Sequence, residues 1–324
     1  MKKVGISFGD PTGISGEILV KGYKNFPKRV AYIIYGNQKV IEKAKTLTGS
    51  NFRYNIVESP EEVKKSGFYL INLNDYDFEF GKPSVLSGKA SVNYLEKAVN
   101  DILNKKTDAL VTLPISKRWI MESGFKYAGH TDYLAEVSRS KEYMMVLMCP
   151  KLIVGLITTH IPLREVPLRI KKESIISKTE LFYNFLKSYL KKDSPKVAIL
   201  GLNPHASDNG NIGDEEEKVI IPAVEYLKNL GLNIIGPLSP DTAFINYKNY
   251  DGYIAMYHDQ GLIPLKMACF RKAVNITLGL NFVRTSVDHG TGYDIAGKNM
   301  ADPSSLIEAV KVAVYSTNTY QLKI

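Results

Sequence analysis

Three histidines of this chain each follow an apolar run, at the point where a polar cluster begins. In chain order they are His160 after 153–159, His205 after 196–202 and His258 after 253–257. Short apolar runs are typical of buried strands, and ligands of open α/β sheets bind beyond the carboxyl ends of the strands. Three imidazoles that leave one coordination position open suit a catalytic zinc or a similar divalent ion. Because three of the five histidines share this placement, the sequence favours one metal site over three separate structural histidines.

Two aspartates are candidates for orienting such a histidine. Asp259 adjoins His258, and Asp241 lies in a polar segment upstream of it. A carboxylate that accepts a hydrogen bond from the second ring nitrogen fixes the tautomer of a metal-binding imidazole. The alternative role for either aspartate is a helix cap or a turn.

A second group of residues has the chemistry of an anion site. Lys266 and Arg284 suit a phosphate or carboxylate, with Asn275 between them in sequence, although a surface ion pair is the alternative for either charge alone. The pair His130-Thr131 fits a contact with an anion or a hydroxyl, or else a polar turn. The net charge of +9 fits either a basic surface or the attraction of anionic ligands.

The elements that must position these residues alternate between strands and helices. The run 3–8 has the length of a strand, and 87–106 has the apolar spacing of an amphipathic helix. This alternation predicts a mainly parallel α/β sheet. The runs 143–149 and 152–159, separated by Pro150-Lys151, predict a hairpin that adds an antiparallel piece.

A glycine-rich turn follows the first strand, with glycines at positions 9, 13 and 16. Their spacing does not match GxGxxG, so the dinucleotide-binding fingerprint is absent. Such a turn either presents backbone N–H groups at the ligand edge of the sheet or is a tight turn in which Asp10 caps the next helix.

Length and composition limit the class of protein. A chain of 324 residues can bury a large core, in two domains or in one large α/β domain. No apolar run approaches the roughly 20 residues that span a bilayer, and the N-terminus lacks a signal-peptide pattern, which predicts a cytoplasmic protein with no membrane partner. The lysines are scattered in pairs, so nucleic acid is not an expected partner. Cys149 and Cys269 form no CxxC and are predicted to be reduced thiols.

Several segments together resemble one known family, the 4-hydroxythreonine-4-phosphate dehydrogenases of vitamin B6 biosynthesis. The matching segments are GDPTGISGE from Gly9, LPISK from Leu113, GHTDYLA from Gly129, TTHIPLREV from Thr158, GLNPHA from Gly201, AMYHDQGLIPLK from Ala255 and VNITLGLNFVRTSVDHGT from Val274. They extend from one end of the chain to the other, and the last two are long and specific.

The resemblance implies two α/β/α domains of the isocitrate/isopropylmalate dehydrogenase type, which bind NAD without a Rossmann fingerprint. The first domain is expected to comprise 1–127 plus 283–324 and the second 128–282, with the active site in the cleft between them. The implied assembly is a homodimer whose active site is shared across the interface.

The resemblance also assigns the site residues. The implied metal ligands are His160, His205 and His258, and the implied substrate contacts are His130, Thr131, Lys266, Asn275 and Arg284. Two departures, Ser15-Gly16-Glu17 and Ser207-Asp208, occur where the family usually has Gly-Pro-Glu and Gly-Glu, and they leave the choice between NAD and NADP open. The general base is open between Lys117 and Asp241.

The implied reaction is a metal-dependent, NAD(P)-linked oxidation of 4-phosphooxy-L-threonine at C3, followed by decarboxylation to 3-amino-2-oxopropyl phosphate. Zinc, magnesium and cobalt are the candidate ions. Three alternatives stay open at this point. The chain could oxidise a phosphorylated four-carbon sugar acid such as threonate or erythronate 4-phosphate, hydrolyse a substrate with metal-activated water, or bind a metal or phosphate without catalysis.

Overall fold

The structure is a computed structural model that describes residues 1–269 and 272–317. Its strands are β1 (Lys2–Ser7), β2 (Val30–Gly36), β3 (Asn55–Ile56), β4 (Gly67–Asn72), β5 (Ala109–Thr112), β6 (Met144–Cys149), β7 (Leu152–Leu156), β8 (Val197–Leu200), β9 (Ile234–Leu238), β10 (Gly252–Ala255), β11 (Val274–Leu278) and β12 (Val283–Val287). Its α-helices are α1 (Ser15–Gly22), α2 (Gln38–Thr48), α3 (Val85–Leu103), α4 (Lys117–Glu122), α5 (His130–Val137), α6 (Val166–Arg169), α7 (Lys172–Leu190), α8 (Ile221–Asn229), α9 (His258–Cys269) and α10 (Ser304–Ser316).

The chain divides into two compact units. The first consists of Met1–Ser140 and the chain from Leu280 onward, and the second is Lys141–Gly279. The domain boundaries that the resemblance implies, after residues 127 and 282, stay a prediction.

The first unit is built on a parallel sheet. Among its described residues the strand order is β3-β4-β2-β1-β5-β12, and every pairing is parallel. All seven residues of β2 are buried. A parallel sheet has both faces covered by helices, which is why its strands are continuous apolar runs without polar alternation.

The second unit combines parallel and antiparallel pairings, in the order β11-β6-β7-β10-β8-β9. Strand β6 pairs antiparallel with both β7 and β11, whereas β7, β10, β8 and β9 are mutually parallel. The predicted hairpin is confirmed as β6 and β7. The core of the second unit includes the fully buried side chains of Leu147, Val154 and Tyr253.

The three histidine-bearing runs become neighbouring strands. His160 follows β7, His258 follows β10 and His205 follows β8, and β10 pairs in parallel with each of the other two. Because parallel strands have their carboxyl ends at the same edge, all three segments leave this sheet at one edge.

The glycine-rich turn after β1 does not place Asp10 as a helix cap. Helix α1 follows Ile14 and has no side-chain cap. Instead, Asp10 Oδ1 accepts hydrogen bonds from the N–H and hydroxyl of Thr12 at 2.9 and 2.6 Å, and Oδ2 accepts one from the Tyr293 hydroxyl at 2.6 Å. The buried carboxylate therefore fixes the turn itself.

The prediction of reduced cysteines was wrong. Cys149 at the end of β6 and Cys269 at the end of α9 form a disulfide, with their Cα atoms 6.2 Å apart. They are 120 residues apart in sequence, and only the packing of α9 near β6 brings them together. Among the described residues, no helix has both the length and the apolar character needed to cross a membrane.

Helix α9 lies very close to the sheet at Gly261. A Cβ at this position would be 2.7 Å from Val154 Cγ1, 3.0 Å from Leu156 Cδ2 and 3.1 Å from Ala255 Cβ. Glycine is therefore the residue that lets the first turn of α9, which carries His258, pack directly on β7 and β10.

We expect Gly261→Ala to lower the free energy of unfolding. Overpacking costs about 1–3 kcal/mol, and the gain in helix propensity returns at most about 1 kcal/mol. Urea denaturation of the variant measures the difference. Gly290→Ala is the matched control, since its Cβ would meet no atom within 4 Å. Equal stability of the two variants would show that α9 can move away from the sheet at little cost.

Candidate active site

His160 and His258 form a pair at the carboxyl edge of the second unit's sheet. Their ring centroids are 5.3 Å apart, with the ring planes inclined by 46°. Both line a cavity of about 270 Å³. The cavity has a mixed lining, which includes Asp259 and apolar side chains such as Ile161 and Val166. This is the arrangement of a ligand site with a few polar groups on an apolar wall.

Asp259 fixes the orientation of the His258 ring. Its Oδ1 lies 2.7 Å from His258 Nδ1. With Nδ1 engaged by a carboxylate, the tautomer with a free Nε2 lone pair is favoured, which is the form that binds a metal ion. This contact is the one expected of an orienting carboxylate, and the role of Asp259 at a metal site stays a prediction.

His205 lies on an unusual turn. The five residues from His205 to Asn209 all have positive φ, between 47° and 70°. This region is unfavourable for residues other than glycine, so surrounding contacts must hold the turn. The buried carboxylate of Glu216 anchors the chain just before this turn, because its Oε1 accepts hydrogen bonds from the backbone N–H groups of Leu202 and Asn203 at 2.7 and 2.8 Å.

One chain brings together two of the three predicted metal ligands. Within the described residues, no group of three or more His, Cys, Asp or Glu side chains is placed to hold a metal ion. His160 and His258 are paired, and His205 does not join them. The sequence pattern correctly placed all three at one edge of the sheet, but it did not show how far apart the β8 and β7 segments would lie.

Asp241 lies near His205. Its Oδ1 accepts a hydrogen bond from the Ser239 hydroxyl at 2.6 Å. This bond is the main cause that lowers the pKa of Asp241, and the nearby charge of His205 lowers it further. Asp241 is therefore held as a carboxylate, which makes it a weak proton acceptor and a better partner for a cation.

The first unit contains a buried cation, Arg284 on β12. The residue is 3% exposed, and its Nε and Nη2 both donate hydrogen bonds to Thr112 Oγ1, at 3.2 and 2.8 Å. Burial lowers the pKa of Arg284 to about 10, so the guanidinium stays protonated at neutral pH. Arg284 is one of the substrate contacts that the resemblance implies, and that role stays a prediction.

His130 lies at the start of α5, within reach of the field of Arg284. Burial, and then the positive charge of Arg284, lower the pKa of His130 well below its usual range. The ring is therefore neutral at physiological pH. Its Nε2 is buried and has no hydrogen-bond partner in the described part of the chain. Thr131 is the next residue on the same helical turn.

The other predicted site residues divide between the two units. Lys117 is the exposed first residue of α4, and its Cε is 4.0 Å from where a Cβ on Gly129 would lie. Lys266 is partly exposed on α9, and Asn275 is on β11. Asn275 Oδ1 is buried without a hydrogen-bond partner among the described residues, like His130 Nε2.

Three residues that position the site were not identified from the sequence: Thr112, Glu216 and Gln260. Thr112 ends β5 and supports Arg284, while Glu216 and Gln260 hold backbone groups near the histidines. Thr112 lies beside one of the segments that carried the resemblance, Gln260 lies inside another, and Glu216 lies within the acidic stretch 214–217. Polar residues that are buried in a fold look like ordinary surface residues in a sequence, so no local signal separates them.

The fold is shared with α/β dehydrogenases. The crystal structure of 4-hydroxythreonine-4-phosphate dehydrogenase from Klebsiella pneumoniae matches with a TM-score of 0.85 at 32% sequence identity, over 99% of this chain and 100% of that one. The chain belongs to the family described as pyridoxal phosphate biosynthetic protein PdxA, whose model matches residues 28–313. The family resemblance and the α/β fold class predicted from the sequence are thereby confirmed.

Two relatives bear on the substrate. A protein from Sulfurihydrogenibium sp. (strain YO3AOP1), named 4-hydroxythreonine-4-phosphate dehydrogenase, is 65% identical over 97% of this chain and 98% of its own length. A protein from Oceanobacillus iheyensis, provisionally named D-threonate 4-phosphate dehydrogenase, is 36% identical over 96% of this chain and 94% of its own length.

The neutral state of His130 predicts a pH dependence of stability. Because its pKa is depressed in the folded state, the unfolded chain binds more protons there once the pH falls below about 6.5. The contribution of the neutral His130 ring to the free energy of unfolding is thus fully present above pH 6.5. It is lost as the pH falls towards the pKa of His130 in the folded state. The His130→Gln variant cannot take up this proton, so its free energy of unfolding should fall less steeply with pH than that of the wild type. The two slopes should differ by at most about 1.4 kcal/mol per pH unit.

Denaturant unfolding of both proteins between pH 7.5 and 5 measures the two slopes. Parallel slopes for the wild type and His130→Gln would contradict the neutral, buried state of this ring.

Proposed function

We propose that this chain is a metal-dependent, NAD(P)-linked dehydrogenase that oxidises 4-phosphooxy-L-threonine at C3 and decarboxylates the product to 3-amino-2-oxopropyl phosphate, in pyridoxal 5'-phosphate biosynthesis. The observation that carries this proposal is the 65% identity to a relative of that name along nearly the whole chain. The paired imidazoles and the buried arginine would supply the two kinds of group that such a reaction needs, one for a metal ion and one for an anionic substrate.

His160 and His258 would hold the ion. Their pairing, and the carboxylate on His258 Nδ1, fit a divalent metal that accepts imidazole ligands, such as zinc or cobalt; magnesium prefers oxygen ligands and fits this donor set less well. When bound, the ion supplies Lewis acidity towards the oxygen at C3, first as hydroxyl and then as carbonyl.

A second copy of the chain would complete the site. A three-histidine set is not assembled within the described part of one chain, since His205 lies apart from the pair. We propose that the protein is a homodimer in which histidines of both copies meet at one ion. The same arrangement would keep a coordination position open for substrate.

Arg284, His130 and Lys266 would hold the phosphate and carboxylate of the substrate. The guanidinium can bind an oxyanion bidentately, and the neutral His130 can donate one hydrogen bond from Nε2 without adding charge. Thr131 and Asn275 would hydrogen bond to substrate as well. By orienting both ends of the molecule, these residues would align the C3–H bond with the nicotinamide of NAD or NADP.

Lys117 and Asp241 are the candidates for the general base. The lowered pKa of Asp241 makes it the weaker proton acceptor. Lys117 lies beside Gly129, the residue before His130, and so belongs to the first unit's anion group. Lys117 and Asp241 both remain candidates for the residue that would take the C3 hydroxyl proton.

A second candidate function is oxidation of D-threonate 4-phosphate, which the relative from Oceanobacillus iheyensis supports. The two substrates share the phosphate and the C3 hydroxyl, and they differ in having an amine or a hydroxyl at C2. The same metal and phosphate groups would serve both.

Purified protein should reduce NAD or NADP when 4-phosphooxy-L-threonine is added, as followed by absorbance of the reduced nicotinamide. Chelation should abolish the reduction and added Zn²⁺ or Co²⁺ should restore it. His258→Ala should lose at least about 100-fold in kcat, because the Lewis acid contributes several kcal/mol and each 1.4 kcal/mol is tenfold. Added metal should not rescue it.

Reduction that persists after chelation would contradict the metal-dependent mechanism. Reduction with D-threonate 4-phosphate alone would keep that mechanism and replace the substrate. No reduction with either substrate would overturn the dehydrogenase proposal.

Arg284→Lys should raise the KM for the phosphorylated substrate by about 10- to 100-fold, because a lysine cannot reproduce the guanidinium fork and one charged hydrogen bond contributes about 1.5–3 kcal/mol. Steady-state kinetics at varied substrate concentration measure this change. Arg118→Lys is the matched control, since Arg118 is exposed on α4 and pairs with Glu122. An unchanged KM in Arg284→Lys would remove Arg284 from the substrate site.

A further inference from the structure

Gln260 forms two short hydrogen bonds between neighbouring strand ends. It lies in the first turn of α9 with 9% of its surface exposed. Its Oε1 accepts a hydrogen bond from the Met256 N–H at 2.7 Å, and its Nε2 donates one to the Gly201 carbonyl at 2.7 Å. Met256 follows β10 and Gly201 follows β8, so one carboxamide joins the two strands where they end.

The position of this carboxamide follows from the strand register. Strands β10 and β8 pair in parallel with Gly252 opposite Val197 and Ile254 opposite Ile199. Continued in the same register, Met256 would lie opposite Gly201. At this point the β10 chain turns into α9 and the β8 chain turns towards the left-handed segment of His205. The strands separate here, and the Gln260 side chain bridges the gap between Met256 and Gly201. It uses one donor and one acceptor, as a peptide group in the sheet would.

The other side of Met256 is held by the segment that follows β7. The N–H and the hydroxyl of Thr158 both donate to the Met256 carbonyl, at 3.1 and 2.7 Å. Thr158 is two residues before His160, and Met256 is two residues before His258. The carbonyl of Met256 is therefore bound by the segment that leads to His160. Its N–H is connected, through the Gln260 side chain, to the segment that leads to His205.

We infer that Gln260 is a positioning residue that sets the separation of the three histidine-bearing strand ends, and thereby the geometry of the metal site. This inference rests on the metal site of the proposed function. Gln260 touches neither substrate nor metal; it acts through Met256 and Gly201. Without its carboxamide, two backbone groups at the strand ends lose their partners, and the strand ends can separate to admit water.

Gln260→Met tests this role, because methionine has a similar length and shape but no hydrogen-bonding amide. The full-length protein is stripped of metal and titrated with Co²⁺, with the dissociation constant from calorimetry and the ligand geometry from the visible spectrum. We expect binding to weaken by about 10- to 100-fold, the effect typical of residues that orient metal ligands. The Co²⁺ absorption bands should change as well.

Leu227→Ala is the control for a general loss of stability. Leu227 is fully buried on α8 of the same unit and is not among the residues that line the cavity of His160 and His258. It should lower the melting temperature while keeping the wild-type Co²⁺ affinity and spectrum.

Hydrogen–deuterium exchange of the metal-free proteins gives a readout that does not depend on metal. In Gln260→Met, peptides covering 201–209 and 256–260 should exchange faster than in the wild type, and those of Leu227→Ala near the histidines should not. Wild-type Co²⁺ affinity in Gln260→Met, or faster exchange in only one of the two segments, would overturn the inference. If the wild-type protein itself binds no Co²⁺, the metal site of the proposed function fails, and this inference fails with it.

Discussion

The parallel pairing of β10 between β7 and β8 is the interaction on which the imidazole site depends. Each of the three strands is short and buried, and each is followed within a few residues by a histidine. Because parallel strands run in the same direction, their pairing alone brings the three chain segments to one edge. A shift of one residue in either register would turn the following segment to the opposite face of the sheet, so the ladder also sets the direction in which each histidine leaves it.

Helix α9 combines several functions along one short element. His258 begins it, Gln260 joins the strand ends beneath it, and Gly261 allows it to lie directly on β7 and β10. Lys266 follows two turns later, and the Cys269 disulfide ties the far end of the helix to β6. A helix fixed at both ends holds its side chains within a narrow range of positions, as the metal ligand and anion contact of the proposed function would require.

The first unit deals with charge in a different way. Arg284 is buried as a cation and held by Thr112, while the neighbouring His130 is kept neutral by burial and by that same cation. A second positive charge beside Arg284 would be costly, whereas a neutral imidazole with an unsatisfied Nε2 costs less and still offers a hydrogen bond. In the proposed function, both residues would contact the phosphate or carboxylate of the substrate.

The sequence by itself determined the placement of the histidines after apolar strands, the β6–β7 hairpin, the mainly parallel α/β class and, through its long motifs, the family. These features depend on local patterns of apolar and polar residues, which short segments specify on their own. Only the tertiary structure decided that β10 lies between β7 and β8, that His160 pairs with His258 and not with His205, that Gln260 bridges two strand ends, and that Cys149 meets Cys269. Each of these depends on contacts between residues far apart in the chain, and such contacts are chosen by the packing of whole strands and helices, which no local pattern records.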